Sequence, residues 1–130
     1  TGQLPATLAN LEKVKQLDLK NNLFGGSIGE WFCKIGKLKD VDMEGNQISG
    51  TLPECLHELT NMEELDLNRN EVSGTLPAGV GAWDSLLHLQ LFGNQFTGPI
   101  PDVWEIAGMK RLYLDGNNFE PGLPPTLESE

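Results

Sequence analysis

A chain of 130 residues fits one domain or a segment of one, and with 38% hydrophobic residues against 15 glycines and 8 prolines it can pack a core and is not a disordered chain. Nine Lys+Arg against 19 Asp+Glu leave a formal charge of −10, so the surface repels phosphate backbones and nucleic acid is excluded as a partner. No run nears the roughly 18–20 apolar residues of a membrane span, and the first thirty residues lack the basic start and apolar stretch of a signal peptide, so no membrane insertion is expected in this segment. The start at Thr1 points to a piece of a larger protein.

In chain order, Gly2, Leu4 and Pro5 open a first unit, followed by Leu8, Leu11 and Val14. Apolar residues three apart predict a 3₁₀ or irregular helical turn. Leu17-Asp18-Leu19 then alternates as a half-buried strand does, and Asn22 ends it. The second unit repeats the scheme with Gly26, Ile28, Val41, Met43 and Asn46. The third has Gly50, Leu52 and Pro53, then Leu56, Leu59 and Met62, then Leu65, Leu67 and Asn70. The fourth carries Gly74, Leu76, Pro77, Leu89, Leu91 and Asn94, and the fifth Gly98, Ile100, Pro101, Leu112, Leu114 and Asn117. The asparagines are spaced by 24 three times and then by 23. One unit cannot bury its leucines alone, whereas a stack makes a continuous core. The expected fold is an α/β repeat solenoid, a right-handed coil with a parallel sheet on the concave face and 3₁₀ or irregular turns on the convex face. An asparagine amide donates and accepts at once, so Asn22, Asn46, Asn70, Asn94 and Asn117 form a ladder suited to the backbone of adjoining turns.

The repeated Leu-x-Leu-x-x-Asn with its following Gly and Pro resembles the leucine-rich repeat family, in particular the plant-type 24-residue subclass. The segment Leu65 to Pro77, LDLNRNEVSGTLP, matches that subclass nearly position for position. Departures are Gly29 in a proline slot, a unit one residue short between Pro101 and Ile106, and Pro121 in place of glycine. The resemblance implies a single leucine-rich repeat domain over residues 1–130, about five repeats, whose concave face binds a protein or peptide without catalysis and with no cofactor. It also implies two relatives in function: inhibitors of secreted hydrolases and the ligand-reading ectodomains of receptor kinases.

The expected concave face divides in two. Its early turns carry Asp18, Asp40, Asp42, Glu44, Glu64 and Asp66, and its later turns Leu87, His88, Gln90, Phe92, Arg111 and Tyr113. Aromatic and Arg side chains dominate interface energetics, so the later patch is the preferred contact site. The acids read as a solvated face, or as recognition of a basic peptide, or as calcium ligands on stacked Asp18, Asp42 and Asp66. No metal is assigned, because backbone or glycine-rich-loop ligands are missing, and no catalysis is expected from paired carboxylates, because nothing on an open sheet would desolvate them to raise a pKa.

Subtracting 24 puts Cys33 in the slot of His57 and Cys55 in that of Trp31, on adjacent convex turns. Two reduced thiols are the default reading, with a disulfide or a Cys33, Cys55 and His57 metal site as alternatives. Trp83 shares its slot with Leu11, Ile35 and Leu59 and is expected in the core, while Trp31 and Trp104 lie at or beside such slots. His57 and His88 fall on opposite faces with no nucleophile beside either. A threonine ladder for ice from Thr51 and Thr75 is broken by Gln3, Ser27 and Pro99. Poorly covered Leu4, Leu8, Leu123 and Leu127 suggest end-to-end self-association. The compartment is open: the resemblance implies the cell surface, whereas the missing Asn-x-Ser/Thr triplets and flanking cysteine caps tilt toward the cell interior.

Overall fold

The computed structural model describes residues 2–3, 6–77, 80, 82–99 and 110–120. Five short strands, β2 (Gln16–Asp18), β4 (Asp40–Asp42), β6 (Glu64–Asp66), β8 (His88–Gln90) and β10 (Arg111–Tyr113), form one parallel sheet in the order β10-β8-β6-β4-β2. Leu17, Val41, Leu65, Leu89 and Leu112 stand in one register across it. All five are buried, and with Met43, Leu67, Leu91 and Leu114 they form the inner wall of the core. The middle residue of each strand points inward, so the residues on either side of it line the concave face.

The convex wall is made of 3₁₀ helices at Ala6–Asn10, Glu30–Lys34 and Glu54–Glu58. Three-residue backbone hydrogen bonds continue them: the Leu59 N–H donates to Leu56 O at 3.0 Å and the Met62 N–H to Leu59 O at 3.3 Å. That tight turn is what apolar residues three apart require, and Leu56, Leu59 and Met62 are all fully buried. Trp83 is likewise in the core, its indole N–H donating to Leu56 O at 2.8 Å.

A second sheet, which the sequence reading lacks, runs along the side where the chain leaves the concave face. Its strands are β5 (Ser49–Gly50), β7 (Glu71–Thr75), β9 (Gln95–Gly98) and β11 (Asn118–Phe119). Ser27 bridges to Ser49, and β1 (Gly2–Gln3) pairs with β3 (Phe24–Gly25) in the first coil. Here the paired residues are 22 apart, as in Ser73 with Gln95, where on the concave sheet they are 24 apart, as in Glu64 with His88; the last pairing of each sheet is one residue shorter, 21 for Thr97 with Asn118 and 23 for His88 with Arg111. Glycine is needed at Gly74: its φ is +80°, and a Cβ there would meet the Thr51 methyl at 2.6 Å.

The same offset corrects the expectation of reduced thiols. Cys33 and Cys55, on neighbouring 3₁₀ helices and 22 residues apart, are joined as a disulfide with Cα atoms 6.1 Å apart. Subtracting 24 matches positions on the concave sheet and hides that residues 22 apart are neighbours elsewhere in the coil. The unit between Pro101 and Ile106, with Leu4, Trp104, Pro121, Leu123 and Leu127, lies outside the described residues, while Leu8 packs against the core.

Candidate functional site on the concave face

The asparagines fix where each strand ends. The Asn70 amide donates to Met43 O at 2.9 Å and Leu67 O at 3.1 Å, and its oxygen accepts the Ile48 N–H at 3.0 Å. Asn46, Asn94 and Asn117 bond in the same way to their own and the preceding turn. Among the described residues the Asn22 amide donates to Leu19 O and Lys20 O, both in its own coil, and it stays exposed.

The aspartate column has a local duty too. Asp18, Asp42 and Asp66 each accept the backbone N–H two residues on, at 3.3, 3.1 and 3.0 Å, closing the turn after the strand. Lys20 sits 3.8 Å from both Asp18 and Asp42, and Gln16 donates to Asp40 at 3.2 Å. Asp66 differs from its neighbours because it is buried, and the nearby Asn68 amide donates to Gln90 at 3.1 Å. Burial, reinforced by the charges of Asp42, Glu44 and Glu64 and opposed by the Asn68 N–H, raises its pKa from 3.8 to about 6. The expectation that no carboxylate on this sheet is shifted therefore fails at Asp66. Carboxylate oxygens of Asp42, Glu44 and Asp66 lie within 4.8 Å of one another, and Asp18 is outside the group. Three such ligands fall short of the six to eight oxygens that calcium takes. A hollow of about 220 Å³ over Gln16, Asp18, Asp40, Asp42 and Glu64 gives the early turns an open, polar relief.

In the later turns, register sets His88 beside Arg111 and Gln90 beside Tyr113. Leu87 leads into β8, its N–H donating to Glu63 O at 2.7 Å. Nδ1 of His88 is buried without a hydrogen-bond partner, and among the described residues it is the one buried side-chain polar atom in that position. Phe92 is 40% exposed, with its N–H held by the Asn68 side chain at 2.7 Å.

Sequence reasoning missed Arg69. It has φ +62° in a column otherwise filled by Asn21, Gly45, Gly93 and Gly116, all with positive φ. From there its guanidinium lies 5.9 Å from the centre of the Phe92 ring and 4.0 Å from Glu44. Arg69 thus connects the acidic and aromatic parts of the face into one surface. A bulky residue in a glycine column was the available signal.

A model of the Leucine Rich Repeat matches residues 13–35, 37–59, 61–83 and 85–105. The chain belongs to the leucine-rich repeat family. Among solved structures it is similar to that of PEPR1-AtPEP1, with 28% identity, a TM-score of 0.90, and coverage of 95% of this chain and 18% of that one. It is similar to the Arabidopsis receptor kinase HAESA, solved with the peptide hormone IDA and the co-receptor SERK1, at 33% identity and a TM-score of 0.90 over 95% of this chain and 21% of that one. A plant ice-binding protein is also similar, at 30% identity and a TM-score of 0.82 over 92% of this chain and 39% of that one. This leucine-rich repeat chain spans about a fifth of the PEPR1-AtPEP1 and HAESA chains it matches. No curated protein matches it by sequence. The fold is shared by proteins of unlike function, so function has to be argued from the face itself.

Proposed function

We propose that the chain is a non-catalytic recognition module that binds a protein or peptide across its concave sheet, as the ligand-reading part of a longer receptor-like protein. The observation that carries this is the surface joined by Arg69: an acidic half, then Phe92 with His88, Gln90, Arg111 and Tyr113 on adjoining strands. The peptide-hormone complexes among the similar structures support it, and the Cys33–Cys55 disulfide supports an oxidising compartment. Aromatic and Arg side chains on a preformed sheet supply contact area at low entropy cost.

A phage-displayed random peptide library panned on the oxidised chain tests this. Enriched peptides are expected to lose tenfold or more in affinity to Phe92→Ala and to Tyr113→Ala, about 1.4 kcal/mol or more each, with both variants unfolding as the parent does. Failure to enrich, or affinity for both variants unchanged from the parent, would remove the late concave patch from consideration.

A further inference from the structure

Six of the nine basic residues fall between positions 13 and 39. Four of them, Lys13, Lys15, Lys37 and Lys39, gather on the flank where the convex turns feed the concave sheet. The backbone explains the grouping. The Lys39 N–H donates to Lys15 O at 2.8 Å and the Glu63 N–H to Lys39 O at 2.8 Å, so residues 15, 39 and 63 stack one per coil. Residues 13, 37, 61 and 85 recur at the same interval two positions earlier. Adjacent rungs of such a stack lie about 4.8 Å apart.

Two hollows adjoin here and share Lys15 and Lys39 as walls. One, of about 510 Å³, is lined also by Lys13, Val14, Gln16 and Asp40, and the other, of about 320 Å³, by Lys37, Asn61, Glu63 and Ser85, so lysines outnumber carboxylates three to one in each. Lys39 is 3.5 Å from Glu63, with both side chains partly exposed, and such a pair is weak and exchangeable. Among the described residues Lys13, Lys15 and Lys37 make no ion pair. In a chain of charge −10, three uncommitted ammonium groups in one relief are a local reversal of sign.

We infer that this flank binds an acidic polysaccharide, its carboxylate or sulfate groups on the lysines and its hydroxyls on Asn61 and Ser85. This goes beyond the recognition proposed for the concave face: the flank meets that face at Gln16 and Asp40, and its lysines lie outside the patch proposed there. The chemistry selects the class of ligand. A single-stranded nucleic acid finds no aromatic side chain in either hollow to stack a base on. An acidic protein segment would want a buried aromatic or Arg anchor, and the sole apolar side chain lining them is the half-buried Val14. Lysine acts as a point charge that tolerates varied anion geometry, whereas the Asn amide and Ser hydroxyl along the same rungs both donate and accept, as sugar hydroxyls do.

Affinity electrophoresis in gels containing polygalacturonate, a sulfated glucan, dextran or poly-glutamate tests the inference. The oxidised chain is expected to be retarded by one or both acidic glycans, less so at 200 mM than at 50 mM salt, and the two gels separate carboxylate from sulfate. Lys15→Gln/Lys37→Gln is expected to lose tenfold or more of that affinity, Lys15→Arg/Lys37→Arg to keep it, and Lys34→Gln on the convex helix to match the parent. Phe92→Ala is expected to be retarded as the parent is, which separates this surface from the concave one. Absence of retardation by both acidic glycans, equal retardation by dextran or poly-glutamate, or full retardation of the Lys15→Gln/Lys37→Gln variant would overturn it.

Discussion

Asp66 shows how one side chain can be both structural and costly. Its carboxylate closes the turn through the Asn68 N–H, yet it is buried beside Asp42, Glu44 and Glu64, and its pKa rises from 3.8 to about 6. The folded state therefore holds the proton more tightly than the unfolded chain. The stabilisation from protonation is full below about pH 4 and is lost as pH rises toward about 6. A shift of this size corresponds to at most about 3 kcal/mol, and partial solvation of the sheet reduces it to about 1–2. Asp66→Asn keeps the accepting oxygen and removes the charge, so it is expected to gain about 1–2 kcal/mol at pH 7 and close to nothing at pH 4. Urea melts of both proteins at the two pH values check this, and an equal effect at both would mean that the carboxylate is solvated. The aspartate column itself was legible as alternation in Leu65-Asp66-Leu67. Its burial was not, because that depends on side chains of the neighbouring coil, where Gln90 stands beside Asp66 in register.

At the scale of elements, the strands, their register and the asparagine positions follow from the 24-residue spacing, and the 3₁₀ turns from apolar residues three apart. The lateral sheet escaped that reading although Glu71-Val72-Ser73 alternates in plain view and Ile48, Val72 and Phe96 are buried. A period counted on one wall does not say how far the chain slips on the others. Paired residues are two positions further apart on the concave sheet than on the lateral one, 24 against 22 and, in the last coil, 23 against 21, which describes turns tilted against the stacking direction. The disulfide follows that slip and ties the helices Glu30–Lys34 and Glu54–Glu58. Closing a loop of this length removes about 3 kcal/mol of chain entropy from the unfolded state. Cys33→Ser/Cys55→Ser is expected to lower the unfolding free energy by about 2–3 kcal/mol, and reductant is expected to weaken the parent but not the variant, as read in denaturant melts. Late-face residues were legible as aromatic and Arg substitutions in strand columns, but Arg69 needed its positive φ to be seen.

Across the whole molecule, each coil touches the coils beside it, so stability is a sum of coil and interface contributions and not the property of one core. The first coil has a described neighbour on one side only, and its side chains show the consequence. Leu17 is 8% exposed where Val41 and Leu89 are at 0%, Leu11 and Leu23 are 40% and 53% exposed, and Asn22 is exposed where Asn46, Asn70 and Asn94 are buried. The central coils combine closed asparagine bonds, the disulfide and the buried Trp83. Unequal coils joined by nearest-neighbour contacts open separately when the end interface is weaker than the rest. In native-state hydrogen exchange of the oxidised chain, the Leu19 and Asn21 amides, bonded to Asp42 O and Glu44 O, are expected to exchange at least tenfold faster than those of Met43 and Leu67, bonded to Asp66 O and Gln90 O. The four bonds have lengths near 2.8 Å, so hydrogen-bond geometry does not explain such a difference and coil position does. Equal exchange rates with a common denaturant dependence would show instead that the stack unfolds as one cooperative unit.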